Sequence, residues 1–143
     1  MQTMAVPEVG QLAPEFRLKA HDGTYYSLSE YRGDKHVLLV FYPLAFSPVC
    51  SHQLPEVQAM LDRFEAADAV VFGISVDSHW ANGAFARQLG LRFPLLSDWK
   101  REASAAIVSF HMPPSTKSAC TKRIVSPSPN ASIRRPSVQL SLV

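Results

Sequence analysis

Two cysteines, Cys50 and Cys120, are the strongest nucleophiles available to this 143-residue chain. Two are too few for a metal-cluster spacing, so their value lies in reactivity or in nothing. Cys50 ends the stretch Tyr42-Pro43-Leu44-Ala45-Phe46-Ser47-Pro48-Val49-Cys50. That stretch leaves an apolar run, crosses a loop and enters a helical pattern at the cysteine. A cysteine in the first turn of a helix meets unpaired backbone N–H groups and the positive end of the dipole. Both favour thiolate over thiol, and the thiolate is the nucleophile. Blander readings stand beside each residue. Cys50 would be an inert packed cysteine, since Cys packs as a small hydrophobe. Ser47 would be an ordinary N-cap, and Pro43 a strand stop. Cys120 reads as a free cysteine in an irregular stretch, with a resolving role as the alternative. The five histidines are scattered. His52 is near enough in sequence to tune Cys50, but a helix-surface histidine is more commonly solvated.

The elements that would hold this stretch are legible in the hydrophobic pattern. Phe16 and Leu18 alternate with polar neighbours in Glu15–Ala20, Asp22-Gly23 is a tight-turn dipeptide, and Thr24–Leu28 is the return strand of a hairpin. Ser29 caps a brief turn before Gly33-Asp34. His36–Tyr42 is a continuous apolar run, the habit of a strand buried on both faces. Leu54, Val57, Met60, Leu61 and Phe64 mark one face of a helix spanning Ser47 to Ala67, with a bend expected at Pro55. Ala69–Val76 is a second buried strand, and His79–Leu89 a helix that Gly90 ends. Phe93–Ser97 is a short strand and Glu102–Phe110 another helix. Alternating strands and helices predict an α/β fold with a βαβ core and a parallel sheet.

Composition suits one compact domain with a real core: hydrophobic residues make up 47% and charged residues 18%. No stretch reaches the roughly 20 apolar residues of a spanning helix. Met1 to Gly10 has no basic residue and no apolar run, so no signal peptide is read there and the expected location is cytoplasmic. A structural disulfide is not expected in that compartment. The net charge of +2 hides an asymmetry. Residues 1–111 hold 9 Lys and Arg against 12 Asp and Glu, whereas residues 112–143 hold 5 Lys and Arg and no acid. The second segment also has five of the eleven prolines, seven serines and no glycine. It has no aromatic residue for base stacking and no periodic basic face, so nucleic acid is not the expected partner. No helical or strand period runs through it. The division expected is therefore a domain at 1–111, incomplete, and an atypical basic Ser/Pro-rich tail at 112–143. So abrupt a change is what a shifted reading frame or an abnormal terminus would produce.

Pro43-x-x-x-Ser47-x-x-Cys50 resembles the peroxiredoxin active-site pattern Pro-x-x-x-Thr/Ser-x-x-Cys. The wider phrases FYPLAFSPVCSHQLPE, GISVDSHWANGAFARQLGLRFPLLSDW and APEFRL resemble the E-type branch of the alkyl hydroperoxide reductase and thiol-specific antioxidant group. The resemblance covers roughly Val9 to Ala106. It implies a thioredoxin-like fold: a central mixed sheet flanked by helices, an N-terminal β-hairpin, and closing strands and a helix that here are missing or disordered. It implies that Cys50 is the peroxidatic cysteine, that Ser47 orients the peroxide and that Pro43 shields the sulfur. The family's arginine from a later strand corresponds by separation to Arg123, which would stabilise thiolate and peroxide. Pro127 and Pro129 argue against a central strand there. Where the family commonly has Glu three residues after the cysteine, this chain has Gln53.

The function implied is a thiol peroxidase that reduces hydrogen peroxide or alkyl hydroperoxides through a sulfenic acid, with no cofactor and no metal. No cysteine follows Cys50 within its helix, so the expected mechanism uses one cysteine. Its reductant would be an external thiol: thioredoxin, a mycoredoxin-like protein or a low-molecular-weight thiol. The family pairs through loops around the active site, which implies a homodimer with Phe46, Trp80 and Trp99 as contacts. Core packing competes for each and is the preferred reading for Trp99. A disulfide oxidoreductase would want Cys-x-x-Cys, and Gln53 stands at the fourth position. A divergent copy without peroxidase activity is the remaining alternative. An arginine able to serve Cys50 separates it from the enzyme.

Overall fold

A computed structural model describes residues 13–107 and 121–125. The expected hairpin is formed by β1 (Arg17–Ala20) and β2 (Tyr25–Ser27), paired antiparallel with Leu18 opposite Tyr26. Its turn works as the Asp22-Gly23 pair predicts. Gly23 takes φ 89°, and the Asp22 carboxylate accepts the Thr24 N–H at 2.8 Å. A 3₁₀ turn follows at Leu28–Tyr31.

The centre of the sheet is β3 (His36–Phe41), β4 (Ala69–Ser75) and β5 (Leu95–Ser97). All three run parallel. The strand order among the described residues is β2-β1-β5-β4-β3-β6, and β1 and β6 join antiparallel. The sheet is therefore mixed, as the family resemblance implies, and not the purely parallel one that strand–helix alternation alone suggests. The difference arises because β1 and β6 join the parallel core antiparallel, a pairing that strand–helix alternation does not disclose.

Alternation along β3 divides the core in two. Val37, Leu39 and Phe41 face a cluster containing Phe16, Leu28, Ile74, Ala103 and Ile107. Leu38 and Val40, with Tyr42 beyond the strand, face a cluster containing Cys50, Leu54, Val57, Leu61 and Phe85. Successive strand residues point to opposite faces, so α4 (Glu102–Ile107) packs on one side of the sheet. The helices α1 (Pro48–Ala59), α2 (Leu61–Ala66) and α3 (His79–Leu89) contribute to the other.

The helix expected over Ser47 to Ala67 is two. It continues through Pro55, where the bend was expected, and is interrupted at Met60 (φ −97°, ψ 2°). There the Met60 N–H turns to the Val57 carbonyl at 3.1 Å, and α2 restarts from the Met60 carbonyl. A proline removes one hydrogen bond, which a well-packed helix tolerates. Helix α3 has the bounds the sequence predicts. The Ser78 hydroxyl accepts the Ala81 N–H, and Gly90 ends the helix in the left-handed region at φ 65°.

The absence of a strand expected for residues 112–143 is corrected by β6 (Thr121–Val125). It pairs with β3 from Thr121 opposite Phe41 to Val125 opposite Val37. Its sequence carries no alternation, so pairing with β3 supplies the reason for it to extend. Among the described residues it is the outermost strand on that side of the sheet, the place a neighbouring Pro127 and Pro129 allow. The rest of that segment lies outside the described residues, as do Cys120, the expected end of the last helix at Phe110, and Met1 to Gly10.

Candidate functional site

The site is built at the carboxyl ends of the parallel strands, where open α/β sheets place their ligand crevices. Beyond β3 the chain runs through Tyr42 and Pro43 to a short loop. The Tyr42 N–H donates to the Ile74 carbonyl at 3.0 Å and its hydroxyl to Asn82 Oδ1 at 2.7 Å. The Ala45 N–H donates to Asp77 Oδ2 at 2.8 Å, so a residue just past β4 holds the loop after β3. Asp77 is itself fixed: its N–H donates to Ser75 Oγ, and its carbonyl accepts the Ser97 hydroxyl at 2.6 Å. Phe46 sits at φ 66°, a conformation that costs a non-glycine residue energy and persists only when its surroundings hold it. Its ring lies 5.0 Å from that of the fully buried Phe85.

Ser47 is the N-cap residue of α1 and Pro48 its first helical residue, a position for which proline's fixed φ is suited. The Ser47 side chain makes no capping hydrogen bond. Its carbonyl accepts both the N–H and the hydroxyl of Ser51, at 3.0 and 2.9 Å. Ser47 Oγ is buried and has no hydrogen-bond partner among the described residues. The same holds for Gln53 Oε1. Cys50 is the third residue of α1 and is 0% exposed. Burial alone would fit an inert cysteine. The two orphaned oxygens flanking it in sequence do not, because buried polar atoms without partners are rare and costly.

The structure thus brings Pro43, Ser47 and Cys50 onto one loop and helix start. His52 is exposed on α1, as a solvated histidine would be. Trp99, for which core packing was preferred, is 68% exposed, and Trp80 is 77% exposed. Trp99 lies outward because its neighbour Asp98 turns inward. The Asp98 carboxylate accepts the N–H groups of Ala103 and Ser104 and the Ser104 hydroxyl, holding the start of α4. Arg123 stands opposite Leu39 in the β3–β6 ladder.

Two residues with a structural role here carry no motif. Asn82 is 0% exposed, accepts from Tyr42 and from Ser75 Oγ at 3.0 Å, and donates to the Leu96 carbonyl at 3.4 Å. With Asp77 it ties the ends of β3, β4 and β5 together. An asparagine among the buried positions of α3, and an aspartate just past a buried strand, were the signals available.

Replacing Ser47 with alanine separates its two readings. A hydroxyl that orients substrate should cost about tenfold in the peroxide reaction, roughly 1.4 kcal/mol of transition-state stabilisation. A capping hydroxyl would instead cost about 1 kcal/mol of folding stability. Urea unfolding of Ser47→Ala should stay within about 0.5 kcal/mol of the parent. Loss of stability with an unchanged peroxide rate would assign the residue to the cap.

Comparison with known proteins shows the family and the fold. The model of the AhpC/TSA family matches residues 9–125. The match takes in β6 and so runs beyond the Val9–Ala106 span of the sequence resemblance. Alkyl hydroperoxide reductase E of Mycobacterium tuberculosis is 42% identical over 91 residues, covering 64% of this chain and 60% of that protein. Peroxiredoxin Bcp of Bacillus subtilis is 35% identical over 99 residues, covering 69% of this chain and 62% of that one. Among solved structures, peroxidoxin BcpB from Mycobacterium tuberculosis superposes with a TM-score of 0.65 at 31% identity, over 68% of this chain and 64% of its own. A PrxQ mutant from Xylella fastidiosa gives 0.70 at 25% identity, over 89% and 80%. The chain belongs to the AhpC/TSA family, with the thioredoxin-like α/β fold of the peroxiredoxins. It spans about three-fifths of the length of the curated relatives it matches.

Proposed function

We propose that this chain is a thiol peroxidase acting on hydrogen peroxide or small alkyl hydroperoxides in antioxidant defence. The observation that carries the reading is the placement of Cys50 in the first turn of α1, behind a loop whose Ser47 hydroxyl is buried and unpaired. The Cys50 thiolate attacks one peroxide oxygen. An S–O bond forms, the O–O bond breaks, and the leaving oxygen departs as hydroxide or alkoxide and takes a proton. Sulfur is oxidised to sulfenic acid as the peroxide is reduced. The Ser47 hydroxyl and the N–H groups at the start of α1 stabilise the charge growing on oxygen. Pro43 covers the sulfur against water. An external thiol then attacks the sulfenic sulfur, releasing water. A second thiol resolves the mixed disulfide and restores Cys50.

The reductant in this reading is thioredoxin, a mycoredoxin-like protein or a low-molecular-weight thiol, and the location is cytoplasmic. No helix among the described residues is long and apolar enough to cross a membrane. A homodimer is supported by the exposure of Phe46, Trp80 and Trp99. The basic segment from residue 112 onward is proposed to lie outside the peroxidase unit apart from β6.

One observation favours a second reading, a family member without peroxidase activity. Arg123 is in register with Leu39, which faces the α4 side of the sheet rather than the Cys50 side. The deciding experiment adds one equivalent of peroxide to the reduced protein, follows consumption by stopped flow and locates the product by mass spectrometry. The peroxidase reading requires sulfenic acid on Cys50 and a rate well above that of free cysteine. A rate equal to free cysteine overturns it.

A further inference from the structure

We propose that His21 is an acid-sensitive latch that holds the β1–β2 hairpin to β5 and opens when its ring takes up a proton. The hairpin meets the parallel core over a short ladder, with Lys19 opposite Ser97 and Ala20 opposite Leu96. Beyond Ala20 the chain turns back at Asp22-Gly23. The Ala20 N–H donates to the Thr24 carbonyl at 2.7 Å, and the Gly23 N–H to the Ala20 carbonyl at 3.0 Å. His21 therefore extends the ladder with its side chain. Its backbone N–H donates to the Leu95 carbonyl at 2.9 Å, and its ring Nδ1 accepts the Leu95 N–H at 3.0 Å. Both backbone polar groups of Leu95 are thus held by one histidine.

A ring nitrogen accepts a hydrogen bond only while it carries no proton. Protonation at Nδ1 turns the acceptor into a second donor aimed at the Leu95 N–H. Leu95 is fully buried and His21 half-buried, so water does not readily take the acceptor's place. Histidine is the side chain whose ordinary titration falls between about pH 5 and 8. The opened chain carries the proton at no such cost, so acid favours the opened junction. The charged groups around the ring come from its own strand and turn and from α3. Lys19 shares its face of β1, with the ammonium 5.9 Å from the Tyr25 ring centroid. The Asp22 carboxylate is engaged by the Thr24 N–H. Arg87 and His21 meet at Gly83 of α3, where a Cβ would sit 3.5 Å from Arg87 Nη1 and 3.7 Å from the His21 Cβ and carbonyl oxygen. Pro94, Leu95 and Leu96 bring no charge. Gly83 follows Asn82, whose amide donates to the Leu96 carbonyl, so the latch adjoins the network that holds Tyr42.

The test is amide hydrogen exchange of the full chain, read residue by residue by NMR at about pH 7.5 and about pH 5.5, with rates corrected for the intrinsic effect of pH. Protection of the Leu95 amide in the parent should fall about tenfold across that interval. That is the cost of keeping an ordinary histidine unprotonated about one pH unit below its usual value of roughly 6.5. Leu39, at the centre of the sheet, should keep its protection. In His21→Asn the side-chain oxygen stands near the place of Nδ1, accepts the same N–H and does not titrate. Leu95 in that variant should stay within about threefold between the two conditions. Ring nitrogen shifts of the parent at about pH 7.5 should place the His21 proton on Nε2. A proton on Nδ1 there overturns the proposal. So does Leu95 protection that holds in the acidified parent, that falls equally in His21→Asn, or whose loss is matched at Leu39 as global unfolding would make it.

Discussion

Cys50→Ser is expected to lower the rate of peroxide reduction by about three orders of magnitude or more, with the fold retained. The reason is electronic before it is steric. A serine hydroxyl in the first turn of α1 sees the same backbone N–H groups as the thiol, but its proton is held too tightly for it to become a nucleophile at neutral pH. Ser47 and Gln53, three residues to either side, carry a hydroxyl and an amide, and neither is a nucleophile at neutral pH. Packing changes little: Cys50 lies among Val40, Leu54 and Phe85 and is fully buried, and serine is of similar size. Placing a hydroxyl in that cluster should cost about 1–2 kcal/mol, read from urea unfolding. Cys120→Ser, measured beside it with an excess of external thiol, should turn over as the parent does. Turnover retained in Cys50→Ser would move the chemistry elsewhere. Turnover lost in Cys120→Ser would replace the one-cysteine mechanism by a two-cysteine one.

The second large effect belongs to a residue with no chemical role. Asn82→Leu should destabilise the fold by about 2–4 kcal/mol. Asn82 is buried and its amide joins Tyr42, Ser75 and Leu96, one group from the end of each parallel strand. Leucine has nearly the same volume, so the loss reports hydrogen bonding and not a cavity. The Ser75 hydroxyl and the Leu96 carbonyl each lose a partner that water cannot easily replace. Tyr42 immediately precedes Pro43, so loosening it should also slow the peroxide reaction. The measurements are urea unfolding and the stopped-flow peroxide rate on the same preparation. A stability loss under about 0.5 kcal/mol would mean that the network does not contribute to holding the site.

Much of this arrangement was written in local pattern. The hairpin follows from Asp22-Gly23, because few other dipeptides accept the positive φ its turn needs. Helix α3 starts at Ser78 and stops at Gly90 for reasons that reside in those two residues. The buried strands β3 and β4 declare themselves as unbroken apolar runs. Cys50, Ser47 and Pro43 were legible as a set because strand, loop and helix start are contiguous in the chain, so their spacing along the sequence is nearly their spacing in the site.

What escaped had its cause at long range. The break at Met60 instead of Pro55 depends on how α1 and α2 meet the sheet. Trp99 is exposed because Asp98, one residue earlier, turns inward to hold α4, and residue type alone does not say which of two neighbours takes the interior. The support that Asp77 and Asn82 give to the loop after β3 joins positions some 30 to 40 residues apart, 32 for Ala45–Asp77 and 40 for Tyr42–Asn82. Strand β6 forms by pairing with β3, and its own sequence carries no strand period.

Cys50 was therefore singled out as a candidate by the sequence alone, through the residues that flank it and the helix it opens. Which positions of β6 are in register with which residues of β3 was decided only by tertiary structure. Separation along the chain brings Lys122 and Arg123 to the same strand, but successive residues of a strand take opposite faces. The register against Val40 and Leu39 alone distinguishes them.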